Sequence, residues 1–193
     1  MISFIFSSRF NGIGNNPIFH FFDSFIQNTN VQDRNNIEFL IKFDSDDINI
    51  PNLCQYSDQG CQIQKFFWPK HGGRHDLHTV QNNLIKRINK NSKFIHLIAD
   101  DFEFTRPNFA EDILKYKDKF IIIGEPLMTT DGYPKGTCGY APAITTKLLE
   151  AISIYTGPSS NADGFFTDIA IFMRNLYNIE LMVEIPLYYK RCR

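Results

Sequence analysis

Short apolar runs recur along this chain, each too brief to cross a bilayer and each set apart from the next by polar loops or by helical spacing. ISFIF (2–6), NIEFLIKF (36–43), QIQKFFW (62–68), FIHLIA (94–99) and FIIIG (120–124) have the length and the Phe/Ile bias of strands, and LMVEIPLYY (181–189) reads as a last one. Between them lie stretches of helical period. Asn16 precedes Pro17, a proline at a first helical position, and IFHFFDSFIQN continues as a helix apolar almost all round, which predicts deep packing. From about Asp76 a second helix places Leu77, Val80, Leu84 and Ile88 on one face. Pro107 opens a short helix over NFAEDILKY, and another covers TTKLLEAI. The last helix carries Phe165, Ile169, Phe172, Met173 and Leu176 on a broad apolar face. Strand alternating with helix predicts an α/β fold: a mainly parallel central sheet flanked by helices, in a single domain over 1–193.

Composition narrows the function classes. The formal net charge of −1 leaves no global basic field to hold nucleic acid or an anionic membrane. No apolar run approaches the roughly 18–20 residues of a membrane span, and MISFIFSSRF lacks the basic start and small-residue cleavage site of a signal peptide. Cys54, Cys61, Cys138 and Cys192 form no CxxC pair and read as reduced thiols, with a Cys54–Cys61 disulfide as the alternative. The expectation is a cytoplasmic protein.

In open α/β sheets ligands sit in the crevice beyond the carboxyl ends of the strands. Here several strands run into polar residues at that edge. The first ends in Ser7, Ser8 and Arg9, the second in Asp44, Asp46 and Asp47, and the fourth in Asp100, Asp101 and Glu103. One such cluster is an ordinary turn. Two acidic clusters at one sheet edge point to a hard cation, because Mg²⁺ and Mn²⁺ are held by one or two carboxylates plus substrate phosphates. The common nucleotide fingerprints are missing: SRFNGIGNN lacks the third glycine of GxGxxG, and there is no GxxxxGK[ST] loop. His71, His75 and His78 lack the nearby cysteine that would complete a tetrahedral zinc set, and Asp76 reads as a helix N-cap.

The serial order of these features resembles an inverting glycosyltransferase of family 2 with the GT-A fold. ISFIFSSRFN is similar to that family's first strand and its loop, NIEFLIKFDSDD to the second strand with the acid that reads the nucleotide base, and GGRHDLHTVQNNLIKRI to the loop and helix before the DXD strand. FIHLIADDFEFTRPNFAEDIL resembles the DXD strand and the helix behind it, and TDIAIFMRNLYNIELMVEIP the late acidic helix and following strand. The resemblance implies a donor site formed by Ser8, Arg9, Asp44, Arg74 and Asp100. Asp44 would accept from a base N–H, Arg74 would neutralise the diphosphate, and Asp100 would sit near the ribose or the metal's outer shell. Mn²⁺ or Mg²⁺ would be held by Asp101, with Glu103 two residues on and on the same strand face. Ala99 stands where the family often has another acid.

An inverting transfer needs a carboxylate to take the acceptor hydroxyl's proton. By resemblance that base is Asp168, with Arg174 at the family's spacing and Thr167 where a Glu is usual; Asp163 is the alternative. The implied activity moves a sugar from a nucleotide-diphosphate donor to a glycan, lipid-linked or protein acceptor. A sugar-phosphate nucleotidyltransferase and an inactive sugar-nucleotide-binding protein are the other readings.

Overall fold

The structure is a computed structural model that describes residues 1–10, 12, 14–70, 77–124, 141–152 and 162–192. Its centre is β1 (Ile2–Ser8), nearly all of it buried because it has a neighbour on each side and packing on both faces. β1 pairs in parallel with β2 (Ile37–Asp44), and β2 in parallel with β3 (Gln62–Trp68), which forms the edge. On its other side β1 pairs in parallel with β4 (Phe94–Leu97). Beyond β4 the direction reverses: β7 (Ala143–Thr145) runs antiparallel to both β4 and β6 (Ile122–Gly124), and β6 pairs in parallel with β8 (Met182–Glu184). The seven-stranded order is β3-β2-β1-β4-β7-β6-β8, a mixed and mainly parallel sheet as expected. A separate two-stranded antiparallel sheet joins β5 (Phe102–Phe104) to β9 (Tyr189–Arg191).

Helices cover both faces. On one lies α1 (Pro17–Gln27), whose Phe21, Phe22 and Phe25 pack with Phe4, Phe39 and Phe104 in an aromatic core, joined by Phe109 and Ile113 of α5 (Phe109–Leu114). The short helices α2 (Val31–Arg34) and α3 (Cys54–Ser57) also flank this side; Tyr56 of α3 stacks on Phe22. The other face holds α4 (Leu77–Ile85), α6 (Thr146–Ile152) and α7 (Ala162–Tyr177), which enclose Ile5, Leu40, Leu84, Ile144, Leu149 and Phe166. None of the helices among the described residues is long and apolar enough to cross a membrane.

Four details depart from the sequence reading. LMVEIPLYY is not one strand: β8 ends at Glu184, and the chain continues across to the small sheet as β9. β5 and β7, three residues each, carry too few positions for a period to be seen. Thr145 ends β7 instead of opening a helix, and its hydroxyl accepts from Ile121 N–H at 3.1 Å. On α7 it is Phe166 and Ala170 that are buried, with Ile169 and Met173 packed at the side, while Phe172 and Leu176 are exposed, so the inward face is rotated from the one expected.

Candidate functional site

The parallel register of β1, β2 and β4 brings their carboxyl ends to one edge. Ser8 lies beside Phe43, and Asp44 beside Trp68. Ile98 N–H donates to Ile5 C=O, so the chain leaving β4 runs alongside the end of β1. A cleft of about 710 Å³ opens there. The loop after β1 forms one wall with Phe10, Gly14, Asn15 and Asn16; the segment after β2 adds Asn49, Ile50 and Pro51. Asp100 and Asp101 enter from the end of β4. This is the crevice beyond the carboxyl ends of β1 and β4, between which the strand order reverses, where an open α/β fold places its ligand.

Two side-chain groups organise the edge. Ser8 Oγ donates to Asp100 Oδ2 at 2.5 Å. Burial pushes the Asp100 carboxyl up to about 6; the Ser8 bond opposes this and the neighbouring Asp101 charge adds to it. The second group is an ion network on Asp44. Arg9 donates to Asp44 Oδ2 at 2.6 Å, and buried Lys42, two residues earlier on the same face of β2, pairs with Asp44 Oδ1. Burial pushes the Asp44 carboxyl up, but the bonds from Lys42 and Arg9 outweigh it and hold the group below its ordinary value. Asp46 stands 3.7 Å from Arg9. Asp47 is a fastener between loops: it accepts from Phe10 N–H at 3.3 Å and from Asn49 N–H at 2.8 Å. In the same loop Gly12 has φ +81°, and a Cβ there would come within 3.3 Å of the Asn49 amide, so both backbone and space favour glycine.

Asp101 is held by Arg191 of β9, whose Nε donates to Oδ2 at 2.6 Å. Its other oxygen, Oδ1, is buried without a hydrogen-bond partner among the described residues. An orphaned carboxylate oxygen beside a second, half-buried carboxyl, in a cleft wall, is a donor set that suits a hard divalent cation. Glu103 belongs to a different neighbourhood. Its Oε2 lies 3.2 Å from His20 Nε2, 3.2 Å from Lys190 Nζ and 3.5 Å from Cys192 Sγ. The His20 contact above all, with Lys190 and Cys192 adding to it against a modest burial cost, holds its carboxyl low.

The expected residues are therefore brought together in part. Ser8 meets Asp100, Arg9 meets Asp44, and Asp100 and Asp101 share the cleft wall. Asp168 lies on the exposed side of α7 and is not among the described residues that line the cleft. Asp163 falls in the first turn of α7, its side chain outside what is described, and Arg74 with its neighbours 71–76 lies outside the described residues, as does Cys138. Cys54 and Cys61 are both free thiols. Sequence reading missed His20 and Asp23, which line the cleft from α1. Their signal is present: Asn16, His20, Asp23 and Gln27 repeat at helical spacing as a polar stripe on a helix that reads as apolar almost all round.

No family model matches this chain, and no curated protein matches it significantly. Solved structures do. TarS residues 1–349 of S. aureus, in complex with UDP-GlcNAc, superposes with a TM-score of 0.68 at 12% identity over 100% of this chain and 58% of that one. A longer TarS structure gives 0.66 at 11% identity, covering 36% of TarS. A 4-diphosphocytidyl-2C-methyl-D-erythritol synthase from Anaerococcus prevotii DSM 20548 gives 0.52 at 12% identity over 95% of this chain and 86% of that one. The chain thus spans between about a third and three fifths of the TarS structures it matches. At such identities the likeness establishes architecture: a mixed α/β sheet of the GT-A kind, shared with proteins named for nucleotide-sugar chemistry.

Proposed function

We propose that this chain is a glycosyltransferase that takes a sugar from a nucleotide-diphosphate donor, bound in the cleft at the ends of β1, β2 and β4. The observation that carries the reading is the Asp100–Asp101 pair set into that cleft, one carboxyl raised toward neutrality and the other with an orphaned oxygen, in a fold that TarS uses with UDP-GlcNAc. The loop after β1 and the segment after β2 enclose the nucleotide. Asp44 is already saturated by Lys42 and Arg9, so a base N–H reaches it only as Arg9 turns aside; Arg9, nearly half exposed, is free to do so and to contact a phosphate.

Asp101, through its orphaned Oδ1, with Asp100 alongside, would hold Mn²⁺ or Mg²⁺, which would supply positive charge to the departing diphosphate. Glu103 is paired with His20 and Lys190, so in this reading it steadies the small sheet. Arg74 adds charge to the diphosphate, and Asp168 or Asp163 accepts the proton of the acceptor hydroxyl, giving inversion. The acceptor is a glycan, a lipid-linked sugar or a protein. The reading places the chain in the cytoplasm, which the free thiols of Cys54, Cys61 and Cys192 support.

A second reading has one observation behind it. The erythritol synthase is matched over most of its own length, whereas TarS is matched over part of it. A nucleotidyltransferase would bind a nucleoside triphosphate through the glycine-bearing loop after β1. The higher TM-score of TarS and the single basic residue, Arg9, in that loop favour the donor-sugar reading.

The test is thermal unfolding with a panel of nucleotide sugars, with and without Mn²⁺. A ligand at a hundred times its Kd stabilises by about 2.7 kcal/mol, a rise of roughly 5–10 °C for a chain of this size. Such a metal-dependent rise with at least one nucleotide sugar, and its loss in Asp101→Asn, is the expected result. No rise with any of them overturns the proposal. A rise with a nucleoside triphosphate and a sugar phosphate instead transfers it to the second reading, and tight binding without turnover on any acceptor marks a sugar-nucleotide-binding protein.

A further inference from the structure

Next to the proposed donor site, three side chains of different ligand chemistry converge from three elements. His20 projects from α1, Glu103 from β5, and Cys192 follows directly on β9. The β5–β9 register explains why they meet. Glu103 lies opposite Lys190, and Cys192 N–H donates to Asp101 C=O, so Cys192 is the diagonal neighbour of Glu103 on the same face of the small sheet. That face looks toward α1, where His20 is on the exposed stripe.

The distances suit a metal ion softer than Mg²⁺. One nitrogen, one oxygen and one sulfur donor all lie within 4.8 Å of one another. Around a tetrahedral zinc, with bonds of about 2.0–2.3 Å, such donors are separated by about 3.4–3.6 Å. The nitrogen–oxygen and sulfur–oxygen separations, 3.2 and 3.5 Å, are already within about 0.2 Å of those values. The nitrogen and sulfur are no more than 4.8 Å apart, and His20 is exposed enough to turn. Thiolate with imidazole selects the zinc side of the divalent series over Mg²⁺ and Mn²⁺.

We propose that His20, Glu103 and Cys192 form a binding site for a zinc-class divalent ion at the rim of the cleft. Binding releases the Cys192 thiol proton to solvent, and Lys190, now the counter-ion of Glu103, swings into water; its side chain is more than half exposed. His20 and Cys192 both line the cleft, so a fourth ligand, water or a group of a bound molecule, comes from that side. The site differs in ligand chemistry from the hard-cation position at Asp101, and it does not depend on the chain being a glycosyltransferase.

Cobalt(II) titrated into the full chain under excess Mg²⁺ tests it, since cobalt(II) reports its ligands by absorption. The expected result is a thiolate-to-cobalt charge-transfer band with four-coordinate visible absorption at one equivalent, bleached by one equivalent of Zn²⁺. Cys192→Ser should lose the charge-transfer band, and His20→Ala should weaken cobalt binding at least tenfold, both with an unchanged far-UV circular dichroism spectrum. The other cysteines serve as internal controls: a band that persists in Cys192→Ser comes from one of them and overturns the proposal. So does the lack of any sulfur band in the parent chain, or equal affinity in His20→Ala.

Discussion

Asp100, just beyond the end of β4, and Asp168, inside α7, are both acids of the expected site, yet the structure gives them opposite settings. Asp100 is tucked against Ser8, and its carboxyl is pushed up to about 6 by burial, with the Ser8 bond working against the shift. The unfolded chain has its ordinary value of 3.8. Between these values the folded state holds a proton that the unfolded chain has lost, so this group's contribution to stability falls as pH rises from about 4 to 6 and then levels. Asp100→Asn should therefore be more stable than the parent at pH 7–8, by on the order of 1 kcal/mol after allowance for partial exposure, with the gain vanishing near pH 4 in urea melts. Equal stability of parent and variant at both pH values would mean the carboxylate is fully solvated. Asp168 is exposed on α7, so Asp168→Asn should fold as the parent does. If it is the base, turnover drops about 10²–10⁴-fold while donor binding persists; the same drop in Asp163→Asn alone would move the role there.

At the scale of elements, the cleft depends on how the small sheet is anchored. Thr105 N–H donates to Tyr188 C=O and Cys192 N–H to Asp101 C=O, so the intervening Phe104 occupies a position whose N–H and C=O point away from β9. α1 satisfies both: Ser24 Oγ accepts from Phe104 N–H at 3.0 Å, and Asn28 Nδ2 donates to Phe104 C=O at 3.0 Å. The helix that carries His20 is thus bolted to the strand that carries Glu103. Ser24→Ala leaves a buried N–H without its acceptor and should cost about 1–3 kcal/mol in denaturant unfolding. A cost below about 0.5 kcal/mol would mean that water or a shifted β5 replaces the hydroxyl. This anchoring also shows what the sequence hides. β1, β2, β4, α1 and α4 announce themselves through apolar runs and helical spacing. The bolt does not, because Ser24 sits in a helix face among phenylalanines, and its partner lies 80 residues away. The pairing of Ser8 with Asp100 was equally invisible, since it follows from parallel register, whereas both residues as strand-end polar groups were not.

On the scale of the whole molecule, His96 ties the two sheets together. It is fully buried on β4, stacks on Phe4 at 4.7 Å, and bonds through Nε2 to the hydroxyl of Tyr188, just before β9. Burial lowers its imidazole to about 3, a contact with Leu97 C=O opposing only part of this, against an ordinary 6.5. The folded chain therefore excludes a proton that the unfolded chain binds, and stability is lost as pH falls from about 6.5 toward 3, at up to about 1.4 kcal/mol per pH unit. In the window from about 4 to 6 Asp100 has the opposite slope and offsets part of this. The parent chain should lose less stability there on acidification than His96 alone would give. Asp100→Asn should lose stability on acidification, and His96→Gln, which keeps a group able to bond Tyr188, should gain it. Far-UV circular dichroism and the fluorescence of Trp68, the single tryptophan, placed at the far edge of the sheet under Arg87, provide two probes of the same melts. Coincident transitions are expected if His96 couples both sheets into one cooperative unit. Variants with equal slopes would refute the opposition of the two groups, and transitions that separate would show that the small sheet detaches before the large one.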